Sequence, residues 1–284
     1  MLNTLKNISP SFLKDTARHV RAWAFLQADK RRPFLNKMRY CGFDLYYTCG
    51  AGLIERIRLG STDRSYEPDL IQKITNELGA TSQPILLDIG TNIGLISLAL
   101  LKKDSRVKIY GFEPSPIPFK TFITTIFANQ LEERVSLFPA ALSDKSGFVN
   151  FSTHGGRDSS GDGMIDTMRS ESTVENIKVP TVTLDEWWNE QKKPAVTHIK
   201  IDVEGAELLA LKGGVTLLKE CKPKIFLEIS NENLKVYPHK ASDVFSFLQS
   251  EGYNLENMQG VAVTMKSLEA ELLVNDTFIA TSKS

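Results

Sequence analysis

The sequence is poor in cysteine and has no long apolar run. Its three cysteines, Cys41, Cys49 and Cys221, form neither an even set nor a metal-binding spacing, which argues against a disulfide framework and a zinc site. No stretch approaches the roughly 18 apolar residues of a membrane-spanning helix, and the N-terminus lacks the apolar block of a signal peptide. These absences predict free thiols and a cytoplasmic protein.

The chain also has no net charge, although its charges are unevenly distributed. The 34 basic and 34 acidic residues cancel, but residues 1–40 hold nine Lys or Arg against two Asp. The rest of the chain therefore has 25 basic and 32 acidic residues. A mildly acidic main body argues against a polyanionic partner such as RNA or DNA.

The basic N-terminal segment has the spacing of an amphipathic helix. Between residues 11 and 28, an apolar stripe lies beside a basic one, formed respectively by Leu13, Ala17, Val20 and Ala24 and by Lys14, Arg18 and Arg21. We expect residues 1–65 to form an accessory extension, with this helix and short strands, before a main domain at 66–284. The helix either packs on its own domain or a sister subunit, or contacts an anionic membrane surface or a partner.

From Tyr66 onward, helix and strand patterns alternate, which predicts an α/β domain with a mostly parallel sheet. With 42% apolar residues, the chain can bury a full core. We predict helices at 66–78, 95–103, 117–129 and from 205, and strands at 85–87, 107–112, 135–138, 148–153, 177–183, 197–203 and 224–229. The polar stretch 154–163 is predicted to be a functional or flexible loop.

A glycine-rich turn, Asp88-Ile-Gly-Thr-Asn-Ile-Gly94, joins the first of these strands to a helix. A strand, a tight turn and a helix start form the geometry that grips nucleotide-like ligands. Counting G-x-G-x-x-G from Gly90 puts Asn92 and Leu95 at the second and third glycine positions, which counts against a dinucleotide. Asp88 suits an ammonium better than a phosphate, and the spelling D-x-G-x-N-x-G resembles the first motif of S-adenosylmethionine-dependent methyltransferases.

Acidic residues follow several of the predicted strands. Glu113 comes about 20 residues after the glycines, where an acid can accept both ribose hydroxyls of an adenosyl group. Asp202, Glu204 and Glu228 follow two later strands, and the carboxyl ends of parallel strands meet at one ligand crevice. These three acids, with His154 from the polar loop, are the candidates for activating a hydroxyl nucleophile. Clustered carboxylates can hold Mg²⁺, but we expect no required metal.

Seven short motifs appear in an order that resembles the FkbM family of S-adenosylmethionine-dependent methyltransferases. They are Asp88–Gly94, Phe112–Pro116, Ala141–Asp144, Thr183–Asp185, Ile199–Glu207, Leu211–Gly213 and Leu227–Ile229, and the resemblance covers roughly residues 66 to 260. It implies a class I methyltransferase sheet with helices on both faces, S-adenosylmethionine as cofactor, and O-methylation of a hydroxyl on a sugar, glycan or secondary metabolite. The family often has Ala where this chain has Thr91, a small change that we expect to be tolerated.

The predicted site follows from these motifs. The expected catalytic residues are Asp202, Glu204 and Glu228. The expected cofactor-binding residues are Asp88, Gly90, Thr91, Asn92, Gly94, Glu113, Pro114, Ser115, Ala141 and Leu142.

Two alternatives from other functional classes stay open. One is a non-catalytic S-adenosylmethionine- or glycan-binding module, and the other is a nicotinamide-dependent oxidoreductase, against which Asn92 and Leu95 count. The chain lacks the Asn- or Asp-Pro-Pro-aromatic block that amine-directed methyltransferases place after the fourth strand. This absence disfavours N-methylation of a nucleobase or glutamine.

Overall fold

The computed structural model describes residues 36–47, 66–153, 162–164 and 175–283. The predicted basic helix at 11–28 and the candidate base His154 lie outside the described residues. Most of the polar loop at 154–163 lies outside them as well.

The described chain alternates helices and strands, as the periodicity predicted. Its strands are β1 Asn36–Tyr40, β2 Phe43–Tyr47, β3 Ile85–Ile89, β4 Lys108–Phe112, β5 Val135–Phe138, β6 Ala141–Leu142, β7 Gly147–Thr153, β8 Glu175–Val182, β9 His198–Ile201, β10 Lys224–Glu228, β11 Tyr253–Asn257, β12 Ala262–Val263 and β13 Thr277–Ser282. Its helices are α1 Pro68–Gly79, α2 Leu95–Lys103, α3 Pro116–Ala128, α4 Leu184–Glu190, α5 Glu207–Lys212, α6 Val215–Cys221, α7 Asn231–Leu234, α8 Ala241–Ser250 and α9 Leu268–Glu271.

The central sheet has eight strands in the order β12-β11-β13-β10-β9-β3-β4-β5. The five strands from β10 to β5 are parallel to their neighbours. Strand β13 lies between β10 and β11 and runs antiparallel to both. The prediction of a mostly parallel sheet is confirmed. Because the parallel strands all end at one edge, the residues that follow β3, β4, β9 and β10 lie along one crevice.

Helices cover both faces of this sheet, because apolar residues of the strands alternate between two cores. On one face, Leu86 of β3 and Ile109 of β4 pack with residues of α1, α2 and α3. On the other face, Leu87 and Ile89 of β3 pack with residues of α4, α5, α6 and α8. Full burial of each such side chain stabilises the fold by about 1.5–3 kcal/mol. The two-sided covering also buries polar residues of the central strands, namely Asp88, His198 and Lys200.

The hairpin β1–β2 packs against α3. Asn129 and Asp44 exchange two hydrogen bonds, and the amide N–H of Tyr46 donates to Thr125 Oγ1 at 3.0 Å. Leu45 and Tyr47 are buried in the same core as α1 to α3. The hairpin lies within the predicted extension, and the boundary at residue 65 stays a prediction.

A second, three-stranded sheet has the order β6-β8-β7. Strands β7 and β8 confirm the two strands predicted at 148–153 and 177–183, and they pair antiparallel. Strand β6, Ala141–Leu142, brings two of the predicted cofactor-binding residues beside β8. No helix in the described ranges is long and apolar enough to cross a membrane.

Candidate functional site

A cavity of about 490 Å³ lies at the carboxyl ends of β3, β4, β9 and β10. This size is typical of a small-molecule site. Ten of the thirteen predicted site residues line it: Gly90, Thr91, Asn92, Glu113, Pro114, Ala141, Leu142, Asp202, Glu204 and Glu228. The other three, Asp88, Gly94 and Ser115, lie behind its wall. The sequence therefore located the cavity, and the roles of the individual residues stay predictions.

The glycine turn between β3 and α2 is a left-handed backbone segment that ordinary residues disfavour. Gly90, Asn92 and Gly94 have φ values of +82°, +51° and +83°. A Cβ at Gly90 would collide with the backbone carbonyl of Asp202, and one at Gly94 would collide with the ring of Phe122. Glycine is therefore required at both positions for conformation and for close packing. The turn closely contacts the end of β9, so the two predicted motifs form one structure.

Asp88 lies beneath this turn. Its side chain is 1% exposed, and Oδ2 accepts a hydrogen bond from Ser97 Oγ at 2.6 Å. Oδ1 lies 3.6 Å from Lys200 Nζ. The ammonium beside Asp88 is thus that of Lys200.

Lys200 joins the glycine turn to the acids after β9. Its side chain is 4% exposed, and Nζ donates to the Gly90 carbonyl at 3.1 Å and to Asp202 Oδ2 at 3.3 Å. Burial lowers the pKa of the ammonium, but Asp202, Asp88 and Glu67 outweigh burial and raise the pKa above its ordinary value. Lys200 therefore stays protonated, and its ammonium lies close to the carboxyl groups of both Asp88 and Asp202.

Glu113 lies at the end of β4 and faces the cavity. Oε2 accepts from the Asn92 N–H and Oε1 from the Ser115 N–H, both at 2.8 Å. Burial raises the pKa of this carboxyl to about 8, while the two backbone hydrogen bonds oppose the rise. Each oxygen retains a further lone pair. Glu113 is thus fixed between the glycine turn and the start of α3, where it can accept hydroxyl hydrogens from a ligand.

Ser115 connects the carboxyl group of Glu113 to Asp162. Besides its N–H bond to Glu113, its Oγ donates to Asp162 Oδ2 at 2.6 Å, which also accepts from Thr153 Oγ1 at 3.1 Å. Asp162, Gly163 and Met164 line the cavity. No residue of this short segment was predicted as a site residue, because its position beside Ser115 depends on contacts between residues distant in the sequence.

The opposite end of the cavity is acidic. Asp202, Glu204 and Glu228 all line it, and Glu204 has a left-handed φ of +54°. Burial, followed by the charges of Asp202 and Glu204, raises the pKa of Glu228 to about 9. A carboxylate with a raised pKa is a stronger base than an ordinary one once it is ionised. This end can therefore attract a cation and accept a proton.

Tyr66 and Glu67 complete the acidic end and were not predicted as site residues. Tyr66 lines the cavity, and burial together with Glu67 and Asp202 raises the pKa of its phenol. Burial also raises the pKa of Glu67. Both residues directly precede α1 and lie outside the seven family motifs. The aromatic–acid pair before Pro68 was therefore the one sequence feature that could have identified them as site residues.

Glu207, in the same motif as Asp202 and Glu204, has a structural position. It is buried, and its Oε1 accepts from the N–H groups of Gly205 and Val203 at 3.0 and 3.3 Å. The Gly205 carbonyl in turn contacts His239 Nε2 at 3.0 Å. These bonds fix the loop that carries Glu204. Within the described ranges, no group of three or more His, Cys, Asp or Glu side chains has the arrangement of a metal site.

Comparison with known proteins identifies the family. The model of the methyltransferase FkbM domain matches residues 88–255, which is more than half of the chain. The chain belongs to the FkbM methyltransferase family. The match begins at Asp88, before the glycine turn, and ends in β11.

Two curated relatives match the chain at modest identity. 2-O-methyltransferase NoeI of Sinorhizobium fredii is 26% identical over 167 residues, which is 53% of this chain and 65% of the relative. Hexuronic acid methyltransferase AglP of Haloferax volcanii is 29% identical over 161 residues, which is 54% of this chain and 58% of the relative. The chain thus spans less than two thirds of the length of either relative.

A solved structure is also similar. The crystal structure of methyltransferase FkbM from Methylobacillus flagellatus has 15% identity and a TM-score of 0.46, over 94% of this chain and 60% of that one.

Proposed function

We propose that this FkbM-family chain binds S-adenosylmethionine in the 490 Å³ cavity and methylates a hydroxyl of a sugar, glycan or secondary metabolite. The observation that carries the proposal is the pairing of two features in one cavity. A glycine turn with Glu113 occupies one end, and Asp202, Glu204 and Glu228 converge at the other. The family match supports methyl transfer, and the relative 2-O-methyltransferase NoeI supports oxygen as the acceptor atom.

The lining residues fit this cofactor. Glu113 would accept the ribose hydroxyls, and the segment with Ala141 and Leu142 would contact the adenine. Because the sulfonium and ammonium of the ligand are cationic, carboxylates on the cavity wall favour its binding. Asp88 and Lys200 would support the methionine portion from beneath by holding the Gly90 turn.

S-adenosylmethionine supplies an activated methyl group together with its leaving group, so the protein mainly has to align the acceptor and remove one proton. Asp202 is fixed by Lys200 and provides negative charge where the sulfonium would lie. Glu228 is the side chain that we assign as proton acceptor, since its raised pKa makes its ionised form the more basic. Glu204, on its strained backbone, would orient the acceptor hydroxyl.

Calorimetry tests the cofactor assignment. The wild-type chain is expected to bind S-adenosylmethionine more tightly than NAD. Glu113→Ala is expected to lose about 2–4 kcal/mol of binding free energy at pH 9, where its carboxyl group is ionised, because two charge-assisted hydrogen bonds disappear. Glu132→Gln removes an exposed acid before β5 and is the matched control. Unchanged affinity in Glu113→Ala, with NAD binding more tightly than S-adenosylmethionine, would refute the assignment.

Turnover tests the chemistry. A panel of sugar and polyketide acceptors is incubated with methyl-labelled cofactor, and Asp202→Asn is expected to stay folded while losing most of its activity. Wild-type turnover from a folded Asp202→Asn, Glu204→Gln double variant would mean that these acids are structural. A chain that binds the cofactor tightly but methylates no acceptor would be a binding module.

The role of the basic N-terminal segment also stays a proposal. Its composition supports contact with anionic lipid or with a partner. Liposome sedimentation of the full chain and of a chain lacking residues 1–30 tests this contact. Aggregation or a changed oligomeric state in the truncated chain would instead indicate that the segment packs on protein.

A further inference from the structure

A second cavity, of about 580 Å³, adjoins the first. Glu228 lines both cavities, and the consecutive residues Tyr66 and Glu67 line one each. The second cavity lies between the first turns of α1 and the segments that end β11 and precede β13. It therefore opens at the same carboxyl edge of the sheet, directly beyond the acidic end of the cofactor cavity. An acceptor held there would reach the methyl-transfer end past Glu228.

The wall of the second cavity is rich in groups that bind hydroxyls. It carries four side-chain amides, those of Gln72, Asn76, Gln259 and Asn275. Gln72 donates one N–H to Asn76 and Asn275 donates one to Glu271, which leaves the second N–H of each amide and the Gln259 amide for a ligand. An amide both donates and accepts, so it can satisfy neighbouring hydroxyls whose hydrogens point in either direction. Met258 and Val274 add apolar surface for the C–H face of a ring. This mixture of amides, carboxylates and a small apolar patch fits a polyhydroxylated ring better than an extended apolar chain.

The charge of the second cavity selects among such rings. Four carboxyl groups line it, those of Glu67, Asp69, Glu228 and Asp276, and Lys73 is the single basic residue among its described lining residues. An acceptor with its own carboxylate would meet the like charges of Asp69 and Asp276 at short range, which is unfavourable. Burial raises the pKa of Glu67 and Glu228, so these two groups repel it less. A uronate is the informative competitor, because one relative is named a hexuronic acid methyltransferase.

We propose that this second cavity is the acceptor subsite and that it takes an uncharged sugar in preference to a uronate. The inference rests on the proposed function, because it places the methylated hydroxyl beside Glu228 at the boundary of the two cavities. It goes further by assigning the side chains around α1 and β13 to acceptor selection.

Saturation-transfer NMR on the full chain with S-adenosylhomocysteine tests the preference. The probes are methyl β-D-glucopyranoside and methyl β-D-glucuronide, which differ only at C6. We expect the glucoside to bind and the glucuronide to bind about tenfold more weakly. Asp69→Asn with Asp276→Asn is expected to narrow the difference to about threefold. Glu132→Gln with Glu133→Gln removes the same charge from exposed positions before β5 and is expected to leave the difference unchanged.

A blocking variant tests the location. Gln259→Trp places a large side chain into the second cavity from an exposed position, and it should abolish the glucoside signal without changing S-adenosylmethionine affinity. Absence of binding by either glycoside, equal or tighter binding of the glucuronide, or glucoside binding that is unaffected by Gln259→Trp would each overturn the inference.

Calorimetry with S-adenosylmethionine distinguishes failure of the acceptor subsite from failure of the proposed function. A chain that binds and uses the cofactor but ignores the substitutions in the second cavity refutes only the acceptor subsite. A chain that does not bind the cofactor refutes the proposed function, and the glycoside signals and Gln259→Trp then report on the second cavity alone.

Discussion

The two ends of the 490 Å³ cavity differ in how the protein holds their acidic side chains. At the glycine-turn end, each oxygen of Glu113 accepts a backbone N–H, and Asp88 accepts from Ser97. At the other end, Glu228 lies among acids whose charges help raise its pKa to about 9. At the first end, backbone hydrogen bonds oppose the rise in the pKa of Glu113, whereas at the second end neighbouring acids add to the rise in the pKa of Glu228.

This difference supports our proposal that the glycine-turn end binds the cofactor and that the acidic end carries out the reaction. Backbone hydrogen bonds hold Glu113 in place before a ligand arrives, which lowers the cost of ordering it on binding. Perturbed pKa values are typical of groups that exchange protons or meet a charged ligand. Lys200 connects the two ends, because it contacts both Asp88 and Asp202. Substitutions can therefore weaken one end, the other, or the link between them.

The largest expected effect comes from breaking the link. Lys200→Met leaves Asp88 and Asp202 without their buried cation, so the free energy of unfolding should fall by about 3–5 kcal/mol. Urea unfolding followed by circular dichroism measures the loss. Adding Asp88→Asn removes one uncompensated charge and should recover part of the stability. Equal stability of Lys200→Met and wild type would show that the ion pairs contribute nothing.

The next effect isolates the glycine-turn end. Gly90→Ala introduces a Cβ that collides with the Asp202 carbonyl at a φ of +82°, so we expect a loss of about 2–4 kcal/mol in stability together with loss of cofactor binding. Gly79→Ala is the matched control, because a Cβ there meets nothing within 4 Å at the end of α1. Thermal unfolding and cofactor calorimetry of the two variants should diverge. Similar behaviour would contradict the close packing of the turn.

Local patterns sufficed to predict the strands and helices next to the glycine turn and the acids, and with them the position of the cavity. The helix predicted at 95–103 and the strand at 135–138 have those bounds in the structure. Strand periodicity and glycine placement depend on neighbours in the chain, so the sequence displays them. Strand β13 was not predicted, because its insertion between β10 and β11 depends on pairing with strands distant in sequence.

Long-range partners explain what was missed at the site. Lys200 alternates with Ile199 and Ile201, a pattern that favours a solvent-facing lysine on a half-exposed strand. Helices on both faces of the sheet bury it instead, and its partner Asp88 is more than a hundred residues away. The ammonium group expected beside Asp88 was attributed to a ligand, whereas in the structure the ammonium group of Lys200 lies there.

The third prediction tests the acidic end of the cavity by the pH dependence of the turnover rate. If Glu228 accepts the proton of the acceptor hydroxyl, turnover should rise with pH up to about 9, because only the ionised carboxylate acts as a base. Glu228→Gln should lower kcat by about a hundredfold and remove this rising limb. Glu132→Gln should retain it. A pH profile of Glu228→Gln that parallels the wild-type profile would assign the proton transfer to another group.

The smallest expected effect is on the pH dependence of stability, to which both ends contribute. Burial raises the pKa of Glu113 to about 8 and that of Glu207 to about 7, and that of Glu228 is about 9. Each is ordinarily near 4.5. The folded chain thus binds protons that the unfolded chain has already released, so stability should decrease as pH rises from about 5 to 9.

Burial of His198 opposes this trend in part, because it lowers the pKa of the imidazole from 6.5 to about 4. Near pH 6 the unfolded chain therefore binds one extra proton, but the three carboxyl groups of the folded chain outweigh it. We expect the melting temperature to decrease steadily as pH rises from about 6 to 9. Glu207→Gln should flatten this decrease. Stability that increases from pH 6 to 9 would show that these carboxyl groups are ionised in the folded chain, and the contrast between the two ends would then need another cause.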